Sequence, residues 1–185
     1  MSFGSADHKL IKACKNGDNQ AQRELYDLFA PKMMVIALRY SKAVPEAEDI
    51  LQDAFVKVFQ KIGSLKHHDK LGGWIKRIVI NTALNQNRSK LYMFPMSQVE
   101  ENTLSGENEV NLSEIHFQEL LKMIQALPVG CQIIFNLYAI EGYSHSEIAK
   151  KLDISSGTCK SQYSRAKKIL KQKLKEFENV NYGAV

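Results

Sequence analysis

The sequence predicts an all-α protein: two small helical domains joined by an acidic flexible linker. Three observations carry this reading. Apolar residues recur three and four apart through every long segment, no apolar–polar alternation is long enough for a strand, and one central stretch has no apolar periodicity at all. With 185 residues, 44% of them hydrophobic and 24% charged, the chain has material for two small cores and a soluble surface.

The first helical pattern is QRELYDLFAPKMMVIALRYS, apolar at Leu25, Leu28, Phe29, Met33, Ile36, Ala37 and Tyr40, with Pro31 positioned to kink or break it. Pro45 and Glu46 then open AEDILQDAFVKVFQKIG, which stops at Gly63. Proline near a helix start and glycine near its end suit helix boundaries. Ile50, Leu51, Ala54, Phe55, Val58, Phe59 and Ile62 form its inner stripe, and Glu48, Asp49, Gln52, Asp53 and Lys57 fall mostly on the other side. After the polar loop SLKHHDKLGG comes WIKRIVINTALNQNRSK, apolar at Ile75, Ile78, Val79, Thr82 and Ala83. Its other face carries Lys76, Arg77, Asn81, Asn85 and Arg88.

Between Leu91 and Leu121 there is no Lys or Arg, while Glu100, Glu101, Glu107, Glu109, Glu114 and Glu119 all fall there. The net charge of +5 therefore conceals two strongly basic flanks around an acidic tether. Basic domains favour polyanionic partners, either nucleic acid or an anionic membrane face. No run approaches the roughly 20 apolar residues of a membrane span, and the N-terminal MSFGSADHKLIKACKNG lacks an apolar core of signal-peptide length. Cys14, Cys131 and Cys159 form no CxxC pair. The expectation is a reduced cytoplasmic protein whose thiols serve as small core residues, with a redox role for Cys131 and Cys159 left open.

The second half continues with EIHFQELLKMIQAL up to Pro128 and GCQIIFNLYAIEG up to Gly142. SHSEIAKKL then places Ser144 three residues before Glu147, the spacing of a capping box, with Ile148, Ala149 and Leu152 inward. Asp153-Ile154-Ser155 makes a short turn, with Ser155 or Ser156 to cap the next helix, in which Cys159, Tyr163, Ala166 and Leu170 face inward. The pattern is a helix-turn-helix. Its outward face presents Lys160, Ser161, Ser164, Arg165 and Lys168, donors suited to base edges and phosphates in a major groove. Backbone N–H groups at Gly157 and Thr158 are candidates to hold a phosphate at the helix start.

Two separate stretches resemble one family. AEDILQDAFVKVFQKI with GGWIKRIVINTALNQNRSK is similar to region 2 of the extracytoplasmic-function sigma factors. LPVGCQIIFNLYAIEGYSHSEIAKKLDISSGTCKSQYSRAKKIL is similar to their region 4. The resemblance covers Gly17 to Lys90 and Leu120 to Leu174, in family order. It implies domains at 1–90 (region 2), 91–119 (acidic linker) and 120–176 (region 4), with a tail at 177–185. It further implies a non-enzymatic cytoplasmic protein that directs core RNA polymerase to promoters. Region 2 would dock on polymerase and hold the −10 element as a melted single strand, and region 4 would read the −35 element as duplex. An anti-sigma factor is an implied partner, with sequestration at the inner membrane as one consequence.

Carried over residue by residue, Asp49, Gln52 and Asp53 match the family's polymerase face. Lys66 and His67, with His68 and Asp69, occupy its base-capturing loop. Trp74, the only tryptophan, matches the aromatic that starts the third helix, and Lys76, Arg77, Asn81, Asn85 and Arg88 match its DNA side. Departures are Asn85 where Asp is usual, Cys131 and Gln162 where Arg is common, and Cys159 where Val is common. Gln162 is expected to cost one phosphate contact.

The competing reading is a helix-turn-helix regulator whose N-terminal half senses a ligand or dimerises. An enzyme is not indicated, and no cofactor, metal or small-molecule substrate is expected. His67-His68-Asp69 lacks further ligands at metal spacing, Gly72-Gly73 lacks the lysine of a phosphate loop, and no cysteine has an evident His or Asn partner for nucleophilic chemistry.

Overall fold

A computed structural model describes residues 8–92 and 117–182, and all regular structure among them is helical. The chain divides into two compact units, Met1–Arg88 and Ser89–Val185. The first holds α1 (His8–Lys15), α2 (Asn19–Tyr40), α3 (Val44–Lys61), two 3-10 turns (Ile62–Ser64 and His68–Lys70) and most of α4 (Leu71–Tyr92). The second holds α5 (Phe117–Gln125), α6 (Val129–Phe135), a π-helical turn (Asn136–Ile140), α7 (His145–Leu152) and α8 (Ser156–Tyr182).

Local chemistry sets the helix ends. Gly17 ends α1 at φ +80°, a left-handed conformation that glycine adopts without cost. Asp18 then caps α2, its carboxylate accepting from Gln20 N at 2.8 Å and Ala21 N at 3.0 Å. Pro45 sits in the first turn of α3, where its missing N–H costs nothing. Glu46 Oε2 reaches back to accept from Lys42 N at 2.8 Å. Pro31 neither breaks nor ends α2, which runs through it to Tyr40. Buried Phe29, Ala30 and Met33 flank the proline, and their burial outweighs the one backbone bond it removes.

Ile11, Leu25, Met33, Ala37, Ala47, Ala54, Val58, Ile75, Val79 and Ala83 form the centre of the first core. α2 and α3 pack side by side, with Tyr26 and Phe55 in an edge contact at 4.7 Å between ring centroids. Leu28, expected inward, is 44% exposed; it lies at the margin of the stripe centred on Leu25 and Phe29. Polar ties hold α4 in place. The buried Asn87 donates from Nδ2 to Tyr40 O and to Ala83 O, both at 3.0 Å, so it satisfies a carbonyl at the end of α2. Lys57 Nζ donates to the buried Thr82 Oγ1 at 3.1 Å.

The second core gathers Met123, Leu127, Cys131, Ala166, Leu170 and Leu174, with Phe135, Ile169 and Phe177 packed against it. The π turn was not legible in the sequence. Asn136 is fully buried and its amide donates to Gln132 O at 2.9 Å, while Glu141 N bonds Asn136 O at 2.9 Å in an i→i−5 step. Gly142, at φ +79°, then turns the chain toward α7.

Helix extends into both ends of the expected 91–119 linker, since α4 reaches Tyr92 and α5 begins at Phe117. The acidic segment between them, with Glu100, Glu101, Glu107, Glu109 and Glu114, lies outside the described residues. α8 continues to Tyr182, past the expected boundary at 176, and Phe177 packs on the second core there.

Ile75→Ala is expected to destabilise the protein by about 2–5 kcal/mol in urea unfolding. Val56→Ser, at a site 55% exposed, is expected to change stability by no more than about 0.5 kcal/mol.

Candidate nucleic-acid interface

In the first unit a cleft of about 470 Å³ opens between the loop that carries the two 3-10 turns and the start of α4. Lys66, His67, Trp74 and Arg77, all singled out in the sequence, line it. Ser64, Leu65, Lys70 and Gly73 complete the lining and were not anticipated. Lys70 had a signal available, because it lies one helical turn before Trp74. The cleft combines one indole face with the cations of Lys66, Lys70 and Arg77, a set suited to an unpaired base and its phosphate.

Trp74, Arg77, Asn81, Asn85 and Arg88 continue from the cleft as one stripe of α4, about 21 Å long at the helical rise. Arg77, Asn85 and Arg88 are exposed, and Trp74 and Asn81 half-buried. Lys76 stands apart from this stripe. Two residues on from Trp74, it lies on the opposite side of the helix, half-buried and engaged in other contacts. His68 is also turned away from the cleft: its Nε2 lies 3.3 Å from Lys15 Nζ and its ring 4.4 Å from that of His8.

On α3, Asp49, Gln52 and Asp53 are all exposed but do different things. Gln52 and Glu48 border a second groove, of about 420 Å³, between α2 and α3. Tyr26, Pro31, Met34 and Leu51 give it an apolar floor that the sequence alone did not reveal. Asp53 accepts from Gln86 Nε2 at 2.9 Å and is thereby tied to α4.

The helix-turn-helix of the second unit is built by its caps. Ser144 and Glu147 make the full capping box: Ser144 Oγ accepts from Glu147 N, and Glu147 Oε2 accepts from Ser144 N at 2.8 Å. Ser144 Oγ also donates to Glu147 Oε2 at 2.7 Å; this bond first, and then the one from Ser144 N, hold the Glu147 carboxyl below the usual carboxylate range. Asp153 ends α7 in the left-handed region at φ 56°, a conformation that Asp tolerates better than most residues. Ser155 is the cap of α8, accepting from Thr158 N at 2.9 Å. That bond corrects one expectation. Thr158 N–H is engaged by Ser155 Oγ, so of the two expected phosphate donors only the Gly157 N–H lies outside this cap.

Lys160, Ser161, Ser164 and Lys168 are exposed along one side of α8, and Arg165 is half-buried beside them. Ser161 Oγ donates to Thr158 O at 3.0 Å, within its own helix. Inward, Cys159, Ala166 and Leu170 are buried as expected, whereas Tyr163 is half-buried within an aromatic cluster. Tyr138 lies 4.5 Å from Tyr163 and stacks on His145 at 4.2 Å. Burial, and secondarily Tyr138, pushes the Tyr163 phenol up.

Two of the departures from the family pattern meet in space. Cys131 Sγ donates to Gln162 Oε1 at 2.9 Å. Gln162 is therefore turned into the domain, an arrangement compatible with the expected loss of one phosphate contact at this position. Cys159 also has a histidine partner after all, His145 Nδ1 at 3.3 Å. Burial pushes the Cys159 thiol up, and burial followed by Lys160 pushes the His145 imidazole down. Both shifts favour the neutral forms, so the pair packs as an uncharged contact, without a thiolate.

Residues 25–90 match the family described as Sigma-70 region 2, and residues 117–170 match Sigma-70, region 4. The ECF RNA polymerase sigma-E factor of Escherichia coli (strain K12) is 29% identical over 188 residues, covering 94% of this chain and 97% of the relative. The ECF RNA polymerase sigma factor SigW of Bacillus subtilis (strain 168) is 29% identical over 187 residues, covering 91% and 97%. Among solved structures, the sigma factor RpoE in complex with the anti-sigma factor NepR from Bartonella quintana shares the fold. Its TM-score is 0.50 at 23% identity, covering 83% of this chain and 96% of that one.

Cys14, Cys131 and Cys159 are all buried. They are expected to react with Ellman's reagent slowly in the native protein and fully in denaturant. Rapid reaction of any one under native conditions would show that its burial is not maintained.

Proposed function

We propose that this chain, which belongs to the extracytoplasmic-function sigma factors that give RNA polymerase promoter-specific transcription initiation, divides promoter recognition between its two units. The first seats unpaired bases of the −10 element in the cleft lined by Lys66, His67, Trp74 and Arg77. The second lays α8 into the major groove of the −35 duplex. The observation that carries this reading is the convergence in the cleft: cations, an indole and a loop imidazole surround a volume large enough for a base.

Melting follows from differential binding. A base paired and stacked in duplex cannot present its faces to Trp74, whereas an unpaired one can. Each base taken into the cleft therefore shifts the local equilibrium toward the open strand. Arg77, Asn85 and Arg88 extend the attraction along the strand's phosphates. In the second unit, Lys160 and Lys168 offset phosphate charge while Arg165, with Ser161 and Ser164 beside it, reaches base edges. The groove between α2 and α3, bordered by Asp27, Glu48 and Gln52, together with the exposed Asp49 and Asp53 farther round α3, is the seat on core polymerase: exposed carboxylates beside an apolar floor suit a basic, amphipathic partner element. The protein acts in the cytoplasm, and an anti-sigma factor holds it inactive. No helix among the described residues is long and apolar enough to cross a membrane. The regulator reading has no support, because the half it assigned to sensing or dimerisation is the half that matches region 2.

Run-off transcription from a promoter library with sigma-free core polymerase is expected to depend on this protein; no gain over core alone at every promoter would refute the assignment. Arg165→Ala is expected to weaken −35 recognition by about 1–3 kcal/mol at one base pair. Equal loss on all sequences would make Arg165 a phosphate contact only. Asp49→Lys is expected to reduce co-elution with core polymerase while leaving the thermal transition in place; Asp53→Lys, which also breaks the bond from Gln86, is expected to reduce co-elution and to lower the thermal transition slightly.

A further inference from the structure

The cleft's cationic wall is carried by its least regular segment, two three-residue turns separated by Leu65, Lys66 and His67. Loops hold a binding geometry less well than helices do, unless other groups fix them. Here the fixing groups come from α1, fifty residues away in sequence. Lys15 Nζ donates to Leu65 O at 2.9 Å and lies 3.3 Å from His68 Nε2. These two points lie immediately before and after the two cleft residues Lys66 and His67. The His8 ring adds a contact with His68 at 4.4 Å. α1 is itself anchored, with Ile11 and Cys14 only 0% and 2% exposed.

We propose that Lys15 is a positioning residue for single-strand capture: by bridging Leu65 and His68 it holds Lys66 and His67 against the cleft, and the bridge opens when His68 is protonated. The inference rests on the reading of the cleft given above. An ammonium group can only donate, so its contact with His68 Nε2 requires the neutral imidazole with its proton on Nδ1. Protonation replaces that acceptor with a donor and sets a positive ring beside Lys15 and His8. Among the charged groups acting on the ring, Asp69 alone opposes this. Burial first, then His8 and Lys15, hold the His68 imidazole below the ordinary histidine range. A lowered folded-state value means that the bridge is fully present above the ordinary value of about 6.5 and is lost as pH falls through the lower one.

The test uses the full-length protein assembled with core polymerase. Its binding to a fluorescent single strand carrying the −10 sequence is measured from about pH 5 to about pH 8 against a scrambled strand. The unaltered protein is expected to prefer the −10 strand at neutral pH and to lose part of that affinity on the acid side. Lys15→Met should bind about tenfold more weakly at neutral pH. Lys15→Arg, which keeps donors for both partners, should restore binding. His68→Gln, which never takes up a proton, should flatten the acid-side loss. If Lys15→Met should prove unfolded in a thermal melt, Lys15→Arg and His68→Gln still decide the matter. Undiminished binding by folded Lys15→Met, or an unchanged acid-side loss in His68→Gln, would overturn the bridge while leaving the cleft reading intact. No preference for the −10 strand by the unaltered protein at neutral pH would remove the cleft reading and the bridge together.

Discussion

In each unit the helix that presents the candidate DNA-facing surface is also the helix that closes the core. α4 buries Ile75, Val79 and Ala83 completely, and that burial turns Trp74, Arg77, Asn85 and Arg88 outward. α8 buries Cys159, Ala166 and Leu170, and so presents Lys160, Ser164 and Lys168. The rotation of a helix about its axis is set by its apolar stripe, because burying that stripe is the largest favourable term available to it. A polar residue on such a helix has its direction chosen by residues three and four positions away. Substitutions in the stripe would therefore disturb binding without touching DNA.

The polar ties refine what the stripes set. Asn87 locks the end of α2 to α4, and Lys57 and Asp53 link α3 to the same helix. These bonds fix the position of α4 against both α2 and α3. The groove on the α2 side and the stripe on α4 belong to one packed unit.

In the second unit, the side chains that depart from the family pattern compensate one another locally. Where two arginines are common, a thiol and an amide form a hydrogen bond inside the domain. Where valine is common, a thiol lies against His145 within the aromatic cluster. α8 thereby carries one cation fewer than the family pattern and is fastened from behind. Lys167 over the Tyr163 ring at 5.3 Å adds a further tie on that side.

The helical class, the two basic halves, the capping box at Ser144 and the outward stripes of α4 and α8 were all legible in the sequence, because they depend on spacing along one helix. So was the identity of four residues that line the cleft, through resemblance. What the sequence could not show depends on side chains far apart in the chain. The pairing of Cys131 with Gln162, the histidine beside Cys159, the tie of Asp53 to Gln86 and the turning of His68 toward α1 all arise from packing between elements. Spacing rules carry no information about which elements will be neighbours, so only the tertiary structure could decide these contacts. The unbroken run of α2 through Pro31 belongs with them: the local cost of proline was readable, but the burial that outweighs it was not.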